Sequence, residues 1–132
     1  MAYAPRILIV EDDPGVRRLF EHVLAEDGYY VTSVTRGRHA LHVLQDVNFD
    51  LAIIDMSLPD VDGPEVIREI AAEYPHVIVL ASSGAMESHM QTLARSAGAS
   101  MVFLKPILAG ELRKLVYAAL DPSCSWRGIG AD

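Results

Sequence analysis

Four places in the chain carry side chains that could do chemistry. Glu11, Asp12 and Asp13 follow the apolar run ILIV. Asp55 follows LAII and opens a Pro-, Asp- and Gly-rich loop, in the stretch LAIIDMSLPDVDG. Ser82 and Ser83 follow VIVLA, and Lys105 with Pro106 follows MVFL. An ionised carboxylate avoids apolar surroundings unless it is paired, because burying an unpaired charge costs several kcal/mol. An aspartate at the end of a core-like run therefore needs partners. Carboxylates held close together raise one another's pKa or require a cation. Mg2+ suits such a cluster, since it takes oxygen ligands and keeps several of its waters. With a lysine beside it, the cation would neutralise phosphoryl oxygens while a carboxylate oxygen attacks phosphorus.

The elements that would bring these groups together are legible as patterns. Apolar runs of strand length cover residues 7–10, 51–54, 77–81 and 101–104, and a half-polar one covers 30–34. Between them, apolar residues recur three and four apart, as on one face of a helix. Val16, Leu19, Phe20, Val23 and Leu24 form the first stripe, and Ala40, Leu41, Val43 and Leu44 the second. Val66, Ile67 and Ile70 mark the third; Met90, Leu93, Ala94 and Ala97 the fourth; Leu108, Leu112, Leu115, Val116, Ala119 and Leu120 the last. Pro14 and Pro64 suit first helical turns, with Asp13 and Gly63 as candidate caps. Gly28 and Gly98 suit helix ends. Gly37 and Gly110 fit that scheme less well, each falling near an expected helix start. Five strand-then-helix units with continuous apolar strands predict an α/β fold: a five-stranded parallel sheet, doubly wound by five helices. In such sheets, sites form at the carboxyl ends of the strands, which is where all four groups fall.

Composition bounds the function. The chain has 132 residues, 51% of them apolar, and a formal charge of −7. That is one domain's length. The acidic balance speaks against direct nucleic-acid binding, which favours a basic face. The one cysteine, Cys124, cannot form an intrachain disulfide, which fits a reducing compartment. No apolar run reaches the length of a signal peptide or a membrane span. The expectation is a cytoplasmic protein with no membrane partner. A domain over residues 5–120 is expected, then a short turn-rich tail over 121–132 with one Trp and no output domain.

The motifs ILIVEDDPGVRRLF, DLAIIDMSLPDVDG and AGASMVFLKP resemble the receiver domain of two-component response regulators, over nearly the whole chain. The acidic pair, the aspartate-to-DG block and the Lys-Pro stand in that family's order. The resemblance implies strand order 2-1-3-4-5 and a single-domain regulator, and it implies roles for particular residues. Asp55 would be the phosphoacceptor and, with Lys105, the catalytic group. Asp12 would bind Mg2+ directly, Glu11 mainly through water, and Asp55 and the backbone carbonyl of Ser57 would complete the protein ligands. Lys105 would pair with the acceptor and then with phosphoryl oxygens, and its bond to Pro106 would be cis. The partners implied are a sensor histidine kinase or histidine phosphotransfer protein and a downstream target protein.

Two departures stand out. The family places Thr or Ser at the end of the fourth strand, and counting along VIVLASSG leaves Ala81, Ser82 or Ser83 at that place. Ser82 is assigned the phosphate-stabilising role, with Ser83 or no hydroxyl as the alternatives. Three residues before Lys105 the family often has an aromatic ring that acts as a switch; this chain has Val102, with Phe103 next.

Each group also has a plainer reading. The acids at 11–13 could simply cap a helix, as Asp13 is expected to do. Asp60, Asp62 and Gly63 are read as shaping their own loop and starting the helix after it. His22, His39, His42, His76 and His89 show no shared metal spacing, and Arg17 and Arg18 read as a solvated face. Met86 and Met90 read as core packing on the fourth helix. The function expected is a phosphorylatable signalling switch that is not an enzyme beyond its own phosphoryl transfer and dephosphorylation. The alternative is a degenerate receiver that binds proteins without phosphorylation. An aspartyl phosphatase would need a second Asp where Ser57 stands. A P-loop enzyme would need a glycine-rich loop ending in Lys-Ser/Thr, which is missing, and a flavodoxin would not place acids after its first strand.

Overall fold

A computed structural model describes residues 4–84 and 88–121. The apolar runs become the strands β1 (Arg6–Val10), β2 (Tyr30–Val34), β3 (Leu51–Asp55), β4 (Ile78–Ser83) and β5 (Met101–Leu104). The stripes become the helices α1 (Pro14–Glu26), α2 (Gly37–Asp46), α3 (Gly63–Glu73), α4 (Ser88–Ala97) and α5 (Ala109–Leu120). The strands pair in the order β2-β1-β3-β4-β5, all parallel. The expected fold and strand order are therefore the observed ones. The expected tail lies, apart from Asp121, outside the described residues, as do Met86 and Cys124.

Side chains alternate between the two faces of the sheet and build two cores. Leu8, Val10, Ala52, Ile54, Val79 and Ala81 face α2, α3 and α4. Ile7, Ile9, Leu51, Ile53 and Leu80 face α1 and α5. Every residue of β3 is buried, as a central parallel strand covered on both faces must be. Removing one such side chain, as in Ile53→Ala, costs about 2–5 kcal/mol because the packed surroundings cannot close over the void.

The helix boundaries follow from local chemistry. Asp13 caps α1, its Oδ1 accepting from Gly15 N at 2.8 Å and Val16 N at 3.1 Å. Pro14 and Pro64 sit in the first turns of α1 and α3, where a missing N–H is harmless. Gly98 ends α4 with φ +128°, and an added Cβ would stand 2.7 Å from Ala71 Cβ, so the glycine also lets α4 lie close to α3. Not every apolar stripe residue is inside: Leu19 and Leu93 are half exposed, and Leu108 precedes α5 in the open. Gly37 and Gly110 lie inside the first turns of α2 and α5. Strand β4 runs past its apolar stretch to include Ser82 and Ser83. Their backbones continue the ladder to Asp55 on one side and to Phe103 and Leu104 on the other.

Candidate functional site

Strand ends bring the four sequence groups to one rim of the sheet. Asp55, the last residue of β3, lies at its centre between β1 and β4. Glu11 follows β1 and is held by its own N–H, which donates to Val34 O at 3.1 Å. Glu11 and Asp55 are 1% and 2% exposed, whereas Asp12 is open to solvent. Carboxylate oxygens of Glu11, Asp12 and Asp55 all lie within 4.8 Å of one another, a spacing that one metal ion could span.

Lys105 reaches this cluster from the end of β5. Its Nζ stands 3.1 Å from Glu11 Oε1 and 3.4 Å from Asp55 Oδ2. Its backbone is fixed by Lys105 N donating to Ser83 O at 2.8 Å, and the Lys105-Pro106 peptide is cis. Asp55 Oδ1 accepts from Ser57 N at 3.0 Å, and Glu11 Oε2 accepts from Asp13 N at 3.1 Å. Lys105 is paired with two of the three carboxylates, so with all three ionised the cluster and its lysine carry a net charge of −2, the opposite of one divalent cation.

The electrostatics register that imbalance. Burial, helped by the Asp55 charge, pushes the Glu11 pKa from 4.5 up to about 7. The Asp13 amide and Lys105 pull it down and offset only part of the rise. For Lys105, burial acts to lower the pKa, but the Asp55 and Glu11 carboxylates outweigh it and the net shift is upward. The lysine thus stays charged while Glu11 is poised near neutrality.

Ser82 stands directly beside Asp55 in the sheet register. It is fully buried, and its hydroxyl has no hydrogen-bond partner among the described residues. Buried hydroxyls are rarely left unpaired, because an unmet one costs about 1–3 kcal/mol. Ala81 belongs instead to the core against α2, α3 and α4. Val102 lies on that same side, partly buried. Phe103 points the other way, its ring 6.1 Å from that of Phe20 under α1. Phe103 therefore does not place an aromatic ring on the side that Val102 occupies.

The loop 56–62 is shaped for this rim. Ser57 and Asp62 pair across it, and Gly63 N donates to Met56 O at 3.4 Å. A Cβ on Gly63 would stand 2.6 Å from Met56 Cα and 2.7 Å from Asp55 O, so only glycine lets the loop close here. Asp60 does something the sequence reading missed. Asp60 Oδ1 and Oδ2 accept from Gly37 N and Arg38 N, so it caps α2 rather than starting α3. No local pattern could have disclosed this, since helix and cap are 23 residues apart. Asp62 does precede α3, without a side-chain hydrogen bond to its amides.

Comparison with known proteins agrees with this fold. The family model for the response regulator receiver domain matches residues 7–117. The chain belongs to that family. It is 30% identical over 116 residues to regulatory protein AtoC of Escherichia coli, covering 88% of this chain and 25% of that protein. It is 30% identical over 113 residues to sporulation initiation phosphotransferase F of Bacillus subtilis, covering 84% of this chain and 90% of that one. The crystal structure of a CheY-like receiver domain protein from Methanospirillum hungatei superposes with a TM-score of 0.86 at 26% identity, covering 90% of this chain and 95% of that one. The chain thus spans a quarter of AtoC and nearly all of the phosphotransferase. Receiver domains act as signalling switches in two-component systems rather than as ordinary enzymes. They interact with histidine kinases or phosphotransfer proteins and bind Mg2+ at an acidic pocket. Among the described residues, no helix is long and apolar enough to cross a membrane.

Proposed function

We propose that Asp55 accepts a phosphoryl group from a phosphohistidine and that the chain is a phosphorylation-driven switch. The observation that carries this reading is the cluster itself: Lys105 within 3.4 Å of Asp55, three carboxylates at one rim, and beside Asp55 a buried hydroxyl without a partner among the described residues. Glu11, Asp12, Asp55 and the Ser57 carbonyl would hold Mg2+. The donor set fits: it is all oxygen, and it lacks one dication's worth of charge. Bound there, Mg2+ supplies charge neutralisation to the phosphoryl oxygens.

The chain's own residues account for the rest. An Asp55 carboxylate oxygen forms the new P–O bond as the P–N bond of the phosphohistidine breaks, and the imidazole nitrogen leaves with the electron pair and takes up a proton. Lys105 moves from the acceptor carboxylate to a phosphoryl oxygen, and Ser82 donates its hydroxyl hydrogen to another. Phosphorylation adds about −1.5 to −2 charges to a rim already short of cations. That shifts the balance between two arrangements of the surface, which a downstream target protein reads. The partner upstream is a sensor histidine kinase or phosphotransfer protein, in the cytoplasm. Residues 5–120 act as the unit.

Incubation with acetyl phosphate and Mg2+ tests the reading. The wild-type chain should gain a phosphoryl group and the Asp55→Asn variant should gain none; equal labelling of the two removes Asp55 from its role. One observation favours a second reading, a binding module that needs no phosphate: Val102 stands where a switch ring would. Titration with Mg2+ separates the two, since the module reading expects no binding at millimolar concentration.

A further inference from the structure

Helix α2 begins without a cap of its own. Arg36 precedes it and gives no side-chain hydrogen bond to its amides. Asp60 serves in its place, with Oδ1 2.9 Å from Gly37 N and Oδ2 3.0 Å from Arg38 N. The same Oδ1 also accepts from Val61 N at 3.0 Å. Slight burial acts to raise the Asp60 pKa, but these amides outweigh it and hold the carboxyl below its usual range. A second, independent contact joins the same two segments. A Cβ on Gly37 would stand 2.3 Å from Val61 Cγ2 and 2.8 Å from Val66 Cγ2, so the start of α2 is pressed onto the loop without a side chain between them. That loop carries Ser57, whose N–H already holds Asp55 Oδ1 at 3.0 Å.

We propose that Asp60 is a positioning residue for the acceptor site: it straps the loop 56–62 to the first turn of α2 and so fixes the Ser57 backbone where the divalent cation needs its carbonyl. The proposal rests on the reading of that rim as a cation site. Groups that orient a metal's ligands without touching the metal affect its affinity about 10- to 100-fold when removed. Coupling of this kind is reciprocal. If the strap strengthens cation binding, the cation must strengthen the strap, and the start of α2 becomes a place where occupancy of the site is felt.

The test uses the full chain, with calorimetric titration of Mg2+ and hydrogen exchange at the Gly37 and Arg38 amides. Asp60→Ala should weaken Mg2+ binding about tenfold. Asp60→Asn, whose remaining oxygen still reaches the Gly37 and Val61 amides, should fall between Asp60→Ala and wild type. In wild type, Mg2+ should slow exchange of the two amides, and in Asp60→Ala it should not. A folded Asp60→Ala variant that binds Mg2+ within about twofold of wild type overturns the proposal, since a purely structural cap would lower only the melting temperature. Should Asp60→Ala not fold, Asp60→Asn decides: weaker binding supports the strap, and unchanged binding overturns it. Wild type that binds no Mg2+ overturns it too. Wild type that binds Mg2+ but takes no label from acetyl phosphate removes the phosphoacceptor reading alone and leaves the strap to be judged by calorimetry.

Discussion

Replacing Glu11 with glutamine should make the metal-free protein more stable at pH 8, although it removes an ion pair. Glu11 is 1% exposed and its pKa stands at about 7, against 4.5 ordinarily. That value already includes the attraction of Lys105 and the Asp13 amide, which offset only part of the burial and of the Asp55 charge. Between pH 4.5 and 7 the folded chain holds a proton that the unfolded chain has released, so stability falls as pH rises through that window. Each tenfold in proton affinity is worth about 1.4 kcal/mol, so the ionised Glu11 costs about 3 kcal/mol at pH 8. Glutamine has nearly the same shape and no charge to bury. Its own polar atoms are imperfectly matched beside Lys105, so the expected gain is about 1–3 kcal/mol. Urea unfolding in EDTA at pH 8 and at pH 4.5 is the assay. The variant should be more stable at pH 8 and close to wild type at pH 4.5, where wild-type Glu11 is protonated when folded. With Mg2+ added, wild type should gain stability and narrow or close the gap, because a ligand stabilises the state that binds it. A Glu11→Gln protein less stable than wild type at pH 8 in EDTA would refute the reasoning, for it would mean that Lys105 over-compensates the buried charge.

Three further substitutions probe the same rim. Lys105→Met removes the ammonium paired with the Glu11 and Asp55 carboxylates and should cost about 2–4 kcal/mol at pH 8, with much of the loss regained at pH 4.5; equal losses at both pH values in urea unfolding would show that packing is responsible. Ser82→Ala deletes a buried hydroxyl that has no partner among the described residues, so unphosphorylated stability should hold or rise by up to about 1 kcal/mol, and a loss of stability in the same assay would mean that the hydroxyl is satisfied. Gly63→Ala drives a Cβ against Met56 Cα and Asp55 O; it should cost about 1–3 kcal/mol and weaken Mg2+ binding in calorimetry, since the loop that closes over the acceptor must open.

The fold was readable because its signals are local and repeated. Buried parallel strands must be continuously apolar, helices that cover them must carry one apolar stripe, and the two periods are hard to confuse when they alternate five times. The rim was readable for a related reason. Polar residues directly after a core strand can only sit at its end, so topology alone gathers Glu11, Asp55, Ser82 and Lys105. What could not be read was anything set by register across the sheet or by contacts between distant loops. The count along VIVLASSG left three places open, and only the register puts Ser82 beside Asp55 and Ala81 beside Ile54. The cap that Asp60 provides to α2 joins segments with no sequence relation. The exposure of Leu19 and Leu93 came from the geometry of the faces they occupy, which a stripe cannot specify in width.

Register also bears on how a signal would leave the rim. Val102 lies opposite Ala81, on the side packed by α2, α3 and α4, and Phe103 lies opposite Ser82 with its ring against Phe20 on the side of α1 and α5. Bringing Phe103 to the other side would need a one-residue slip of β5, which would turn every side chain of the strand over. Lys105 N is bonded to Ser83 O, so such a slip would also carry the lysine out of place. A ring-swing readout is thereby closed to β5 as it stands. Charge added at Asp55, as proposed above, would act instead on its neighbours: Lys105, Ser82 beside it in the sheet and the loop beginning at Met56. Of these, the loop has a rigid partner, through Asp60 and the contact at Gly37, in the first turn of α2. That first turn belongs to a helix packed on β1 and β2, at the end of the sheet away from β5 and Val102, so a signal carried by the loop would leave the rim on the side away from Val102.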